Sequence, residues 1–548
     1  MASLMELVDR VNKGEMVETS QLEVYQDSPN SAEKFLAHHA HAMLELRRAH
    51  QHILQCLEAI DYSDQKVLNQ YLSVTGFLGL TDQRAQPVVK FGASAIGRRE
   101  YSLGLEAIQN GISNDLNNNG SFAKDRENCE FVATQYERAA QCIGWSTQSK
   151  RDWNNKQTTL GCIVSGLADD DSTSRMLASL AKHCDERQYK LTVYSTECGV
   201  RRERQGFPQG NYVLGSDKRG TGVIDSLTKR GVTCWCAPTD GDSITAAKAL
   251  ADQLIKDQVD VAMFEATQAD AIACLVAGWD VARVKINLCR RTPLYAPGIS
   301  SVIYLDPVRW EADKEFWNTK KIDSRFILEG CDIDEPLGSA PQRSVYGIPE
   351  AAVVLATAAS DLDSTMSPEF VDCIVNILRA HPHAIYLLVG DGELAWQKRK
   401  FESAGVAKRV GYTGRRKDLP GFLRICDIYV AEFPSGSAAG VLQAMSVEKP
   451  VIAARWGDEA EQSQAAALVG SEGAISGRDT GVFIERVSKM IREPQYRTKL
   501  GKTLRQRVEQ HFSFHQTARN LEQLCDELIQ SWSEDSNDGP QVTLAEAA

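Results

Sequence analysis

Ser435, Gly436 and Ser437 are the residues of this chain best suited to hold a phosphorylated ligand. They stand between an apolar run, Asp427-Ile-Tyr-Val430, and a helix-like run, Ala438-Ala-Gly-Val-Leu-Gln-Ala-Met445. Small residues at such a bend let an anion approach the backbone, and a helix start offers free N–H groups at its positive end. Arg415 and Arg416, in the preceding basic loop, add the cations that a diphosphate needs. Plainer roles fit the same residues. The Ser-Gly-Ser bend also serves as a helix N-cap without a ligand, and the arginines also suit surface ion pairs.

Three further groups could do chemistry. Gly390-Asp391-Gly392-Glu393 follows the apolar run Ala384–Val389, at a strand carboxyl end, where open parallel sheets hold their ligands. A simple tight turn is the alternative. Tyr412 and Thr413 close the next strand, placed to meet a nucleobase or to pack internally. Asp171, backed by Asp169 and Asp170, is the leading candidate for a general base, because clustered carboxylates raise one another's pKa. An acidic loop capping the helix that begins near Ser174 accounts for the same residues.

These groups need elements to position them, and the texture of the chain changes along its length. Residues 1–150 carry helical spacing without strands, as in Glu130-Phe-Val-Ala-Thr-Gln-Tyr-Glu-Arg-Ala-Ala-Gln-Cys-Ile143, and are expected to form an α-helical domain. From Thr159 strands and helices alternate: apolar runs begin at Leu160, Lys190, Val259, Val284 and Val302, with helices from Ser174 and Ala246. The stretch from Asp332 to Gln342, rich in Pro, Gly and acids, suits a linker. A second alternating series follows, with strands at Val353, Ala384, Val410, Asp427 and Val451 and a helix over 368–380. Alternation of this kind predicts parallel sheets wrapped by helices, two doubly wound domains over 159–335 and 341–531, with strand ends facing across a cleft. The acidic, small-residue segment 533–548 is expected to be a disordered tail.

Composition narrows the field. A chain of 548 residues with 43% hydrophobic and 24% charged residues has room for more than one core. A formal charge of −12 argues against a general nucleic-acid binder, whose affinity rests on neutralising phosphates. The cysteines are scattered in apolar contexts with no CxxC pair, which predicts buried thiols in a reducing cytoplasm. No apolar run approaches the length of a membrane span, and the first residues lack the pattern of a signal peptide.

In order and spacing, four segments resemble the GT-B glycosyltransferases, and more narrowly the O-linked N-acetylglucosamine transferase family with its bacterial protein-glycosylating relatives. They are Val164-Ser-Gly-Leu-Ala-Asp-Asp-Asp-Ser-Thr-Ser174, Tyr346-Gly-Ile-Pro-Glu-Ala-Ala-Val-Val-Leu355, the region Gly411–Pro450, and Phe512-Ser-Phe-His515. The resemblance spans roughly 159–530. It implies an α/β fold of the GT-B type: two Rossmann-like domains preceded by an α-helical domain that helps to position a protein acceptor. It also implies transfer of a hexosyl or N-acetylhexosaminyl group from a UDP-sugar donor to a protein or glycan acceptor. Donor binding then falls to Gly390, Asp391, Tyr412, Thr413, Arg415, Arg416, Ser435, Gly436, Ser437 and Gln443. Backbone N–H groups and cations stabilise the leaving diphosphate, so the resemblance implies neither a metal nor a cofactor.

At three positions the chain departs from that family. Gln443 stands where a ribose-gripping carboxylate is common, Asp363-Ser-Thr-Met366 where a phosphate-contacting lysine is expected, and Asp171 where the family has a histidine. Arg416 aligns with a nucleotide-contacting lysine. These departures leave open a second class of function, a GT-B scaffold without turnover that serves as a binding platform. A third, a sugar-nucleotide epimerase, shares the architecture, but the carboxylates and histidine it needs in the cleft are not evident.

Overall fold

The computed structural model describes residues 4–12, 17–26, parts of 33–45, 85–117, 122, 125–146, 157–168, 172–198, 221–333 and 340–538, apart from 291, 297, 329, 417, 435, 457–463 and 476–478. Two parallel sheets dominate it. The first holds β1 (Thr158–Val164), β2 (Tyr189–Ser195), β3 (Thr233–Cys236), β4 (Val261–Glu265), β5 (Val284–Cys289), β6 (Ser301–Tyr304) and β7 (Asp323–Phe326), in the order β3-β2-β1-β4-β5-β6-β7. The second holds β8 (Val353–Asp361), β9 (Ala384–Asp391), β10 (Val410–Tyr412), β11 (Ile428–Val430), β12 (Val451–Ala454) and β13 (Ala474–Ile475), in the order β10-β9-β8-β11-β12-β13.

Both orders reverse once, between β1 and β4 and between β8 and β11. Loops leaving the carboxyl ends of neighbouring strands diverge at such a point and open a crevice for ligands. The central strands are apolar on both faces, as helices on each side require: β1 is buried at every residue after Thr158. β3, β7 and β13, which the apolar pattern did not reveal, are all edge strands.

The helices before the first sheet dock onto it. Ala85, Ile108 and Tyr136 share one apolar core with Phe264 and Val302. Helix Arg126–Ile143 begins at Asp125, which caps the Asn128 N–H, and ends at Gly144 with φ of 61°. Directed bonds help to hold it, among them Tyr136 Oη to the Gln268 carbonyl at 2.9 Å, Gln268 Nε2 to the Cys129 carbonyl at 2.8 Å, and Trp279 Nε1 to the Ala140 carbonyl at 3.0 Å. Helices Ala85–Gly97 and Tyr101–Asn117 cross at Gly92 and Gly104; a Cβ on either would lie 2.7 Å from the other's carbonyl oxygen.

The chain crosses between the sheets twice at one place. Cys331 N–H donates to the Phe512 carbonyl at 2.9 Å and Phe514 N–H to the Cys331 carbonyl at 3.1 Å. Helix Phe514–Asp538 then returns to the first sheet, where Ala518, Leu521 and Cys525 pack with Cys162, Met263 and Ile286. Residues 533–538 of the expected tail continue that helix, with Ser533 Oγ donating to the Ile529 carbonyl, and 539–548 lie outside the described residues. Part of the expected linker, 334–339, lies outside the described residues. Most of the described cysteines are buried. Among the described residues no helix is long and apolar enough to cross a membrane.

Candidate active site

The bend after β11 stands at the switch point of the second sheet. Gly436 has φ of 67°, a conformation in which a Cβ is strained. Ser437 caps helix Ala438–Ser446, its Oγ accepting from Gly440 N–H at 3.4 Å. Gly440 lets this helix lie directly on the sheet, because a Cβ there would come 2.3 Å from Tyr429 Oη and 2.6 Å from the Ala358 carbonyl oxygen. Ser435 lies outside the described residues.

A buried carboxylate sits beneath this bend. Glu432 is 1% exposed, and its Oε1 accepts the Ser437 N–H at 2.7 Å. Its Oε2 is buried without a hydrogen-bond partner. Burial pushes this carboxyl up to about 7, against the lowering effect of backbone N–H groups including that of Ser437. One N–H of the expected anion cradle is therefore engaged by the protein itself. The available sequence signal was a lone acid directly after the apolar run Ile428–Ala431.

The loop after β9 is shaped by two glycines, Gly390 with φ of 147° and Gly392 with φ of 143°. A Cβ on Gly390 would lie 1.9 Å from the Ala359 carbonyl oxygen, so this loop leaves against the end of β8. Asp363, where the resembling family has its lysine, accepts Glu393 N–H at 2.7 Å and Leu394 N–H at 2.9 Å. Its charge is thus spent on backbone donors at the start of helix Ala395–Ser403. Asp391 is exposed beside it. Thr413 N–H and Oγ1 both donate to the Leu388 carbonyl, at 3.0 and 3.2 Å, which ties the β10 loop to β9. Tyr412 is 42% exposed, with Lys398 Nζ 5.0 Å from its ring centre.

Arg415 and Arg416 diverge. Arg415 is exposed. The Arg416 guanidinium carbon lies 4.9 Å from the Phe422 ring centre and 5.4 Å from that of Tyr346, and its Nε is buried without a hydrogen-bond partner. Arg416 is therefore a packed cation as well as a ligand candidate. Gln443, on helix Ala438–Ser446, also has a buried Oε1 without a partner, a condition that buried polar atoms seldom tolerate.

Asp171, with Asp169 and Asp170, lies outside the described residues. The carboxyl ends of the first sheet gather polar groups that sequence reasoning missed. Asp270, 1% exposed, accepts Ser165 Oγ at 2.8 Å and Thr196 Oγ1 at 2.6 Å. Glu265, at the end of β4, accepts Thr173 Oγ1 at 2.6 Å and pairs with Arg290. No local motif marks these residues, since each partner comes from a different strand or loop.

The family model described as "Glycosyl transferases group 1" matches residues 367–492, a segment that contains every second-sheet candidate from Gly390 to Gln443. A solved structure of an O-GlcNAc transferase mutant from Thermobaculum terrenum superposes with a TM-score of 0.53 at 14% identity, covering 98% of this chain and 100% of that one. The fold is GT-B. A glycosyltransferase from Rickettsia africae matches with a TM-score of 0.51, also at 14% identity, over 69% of this chain and 99% of that one. At such identity the likeness concerns architecture alone. No curated protein matches the sequence significantly. Within the GT-B frame, the bend after β11 and the glycine loop after β9 both stand on the second Rossmann-like domain.

Proposed function

We propose that this GT-B protein is a glycosyltransferase that binds a UDP-sugar at the carboxyl ends of β8 to β11 and passes the sugar to a protein or glycan acceptor. The observation that carries this reading is the Gly436–Ser437 bend at the sheet's switch point, which leads into a helix within the matched segment 367–492. The start of helix Ala438–Ser446 faces the diphosphate, and Arg415 and Arg416 offset its charge. Gln443 has an unsatisfied Oε1 to accept from a ribose hydroxyl. Tyr412 and Thr413 lie at the nucleobase end. In this reading Asp171 takes the acceptor's proton, the N-terminal helices hold a protein acceptor, no metal takes part, and the protein works in the cytoplasm.

A second reading has specific support. Asp363 binds backbone N–H groups of the β9 loop where a phosphate-binding lysine would stand, and Glu432 already engages the Ser437 N–H. Both favour a scaffold that has given up turnover and acts as a binding platform. Incubation of the full chain with UDP-glucose and UDP-N-acetylglucosamine, followed by assay for released UDP, separates the two. Release that Ser437→Pro abolishes supports the transferase. UDP binding without release supports the platform, and absence of UDP binding removes the donor site.

A further inference from the structure

A buried carboxylate takes up the Ser437 N–H. Glu432 lies on the same strand exit as the bend, is 1% exposed, and uses one oxygen on that N–H while the other has no partner. A helix start favours negative charge, so an ionised Glu432 is the natural occupant when nothing else is bound. A second anion brought to the same helix start meets like-charge repulsion inside a poorly solvated site.

We propose that Glu432 is a positioning residue that occupies the anion cradle of helix Ala438–Ser446 in the free protein, and that it takes up a proton when a donor diphosphate binds. The inference rests on the donor reading above and adds a condition to it. Neutral, the carboxyl no longer repels phosphate. It becomes a hydrogen-bond donor whose second oxygen can turn toward the ligand. Burial raises this carboxyl to about 7, so the protonation change falls near neutrality. The charge of Glu432 acts in turn on the phenols of Tyr386 and Tyr429, on β9 and β11. Burial pushes both well above their ordinary range, so neither changes charge near neutrality.

The test is the affinity of the full chain for UDP-glucose and UDP-N-acetylglucosamine between pH 5.5 and 8.5, measured by calorimetry. Their diphosphates have no titrating proton in that range. Above neutrality the wild-type affinity is expected to fall by up to about tenfold per pH unit, while Glu432→Gln shows a flat profile. Calorimetry of the wild type in buffers of different ionisation enthalpy adds a readout that does not depend on the variant's folding. Uptake approaching about one proton per bound donor is expected at pH 8.5. Measurable binding with a flat wild-type profile and no proton uptake overturns the inference and leaves the donor site standing. If neither compound binds at any pH, the donor reading fails and this inference falls with it.

Discussion

Asp363 holds two loops of the second Rossmann-like domain together: leaving β8, it accepts the N–H groups of Glu393 and Leu394 at 2.7 and 2.9 Å, at the exit of β9. Hydrogen bonds from backbone donors to a carboxylate at a helix start are among the stronger local ones. Asp363→Ala leaves both donors without this acceptor. It should cost about 1–2 kcal/mol in urea unfolding, and Asp363→Asn should recover part of that. A variant as stable as wild type would show that the bonds contribute nothing net.

The two arginines should separate in their effects. Arg416→Ala removes a cation packed against Phe422 and Tyr346, so it should lower stability by about 1–2 kcal/mol besides weakening UDP binding. Arg415 is exposed, and Arg415→Ala should leave the unfolding midpoint in place. Its loss of UDP affinity should shrink as salt is raised. Equal stability of the two variants would refute the packed role of Arg416.

Glu432 makes a prediction that needs no ligand. Its raised carboxyl keeps a proton in the folded protein at pH values where the unfolded chain has released it. Stability contributed by this group therefore falls as pH rises from about 4.5 toward about 7, and levels off above. The slope is at most about 1.4 kcal/mol per pH unit. Glu432→Gln should lose that slope, and identical slopes in both proteins would mean that Glu432 does not titrate there.

The proposed role of Asp171 as the base predicts an effect on chemistry alone. Asp171→Asn should depress turnover of the UDP-sugar by about a hundredfold or more, the scale of a lost general base, while the affinity for UDP stays unchanged. An unaltered rate would retire the residue as the base.

The elements differ in how openly the chain declares them. β1, β4, β8 and β9 are buried in the middle of their sheets and show as apolar runs. β3 (Thr-Cys-Trp-Cys), β7 (Asp-Ser-Arg-Phe) and the two-residue β13 lie at edges, where one neighbour is missing and no continuous apolar run is needed. The same division holds for the site. Gly390, Gly436 and Ser437 announce a turn and a cap because the reasons for them are local. The bonds from the β9 loop to Asp363, from Thr173 and Arg290 to Glu265, and the stacking of Arg416 on Tyr346 join residues remote in sequence, and no local pattern encodes them. Glu432 is intermediate: its charge after an apolar run was visible, but not its burial against Ser437.

Hydrogen–deuterium exchange of the full chain with and without saturating UDP tests the central claim most directly. The expected result is slowed exchange of the amides from Gly436 to Gly440, with further protection around Tyr412 to Arg416 and Gly390 to Glu393. Unchanged exchange in all three loops, or protection confined to the first sheet, would contradict a diphosphate held at the start of helix Ala438–Ser446.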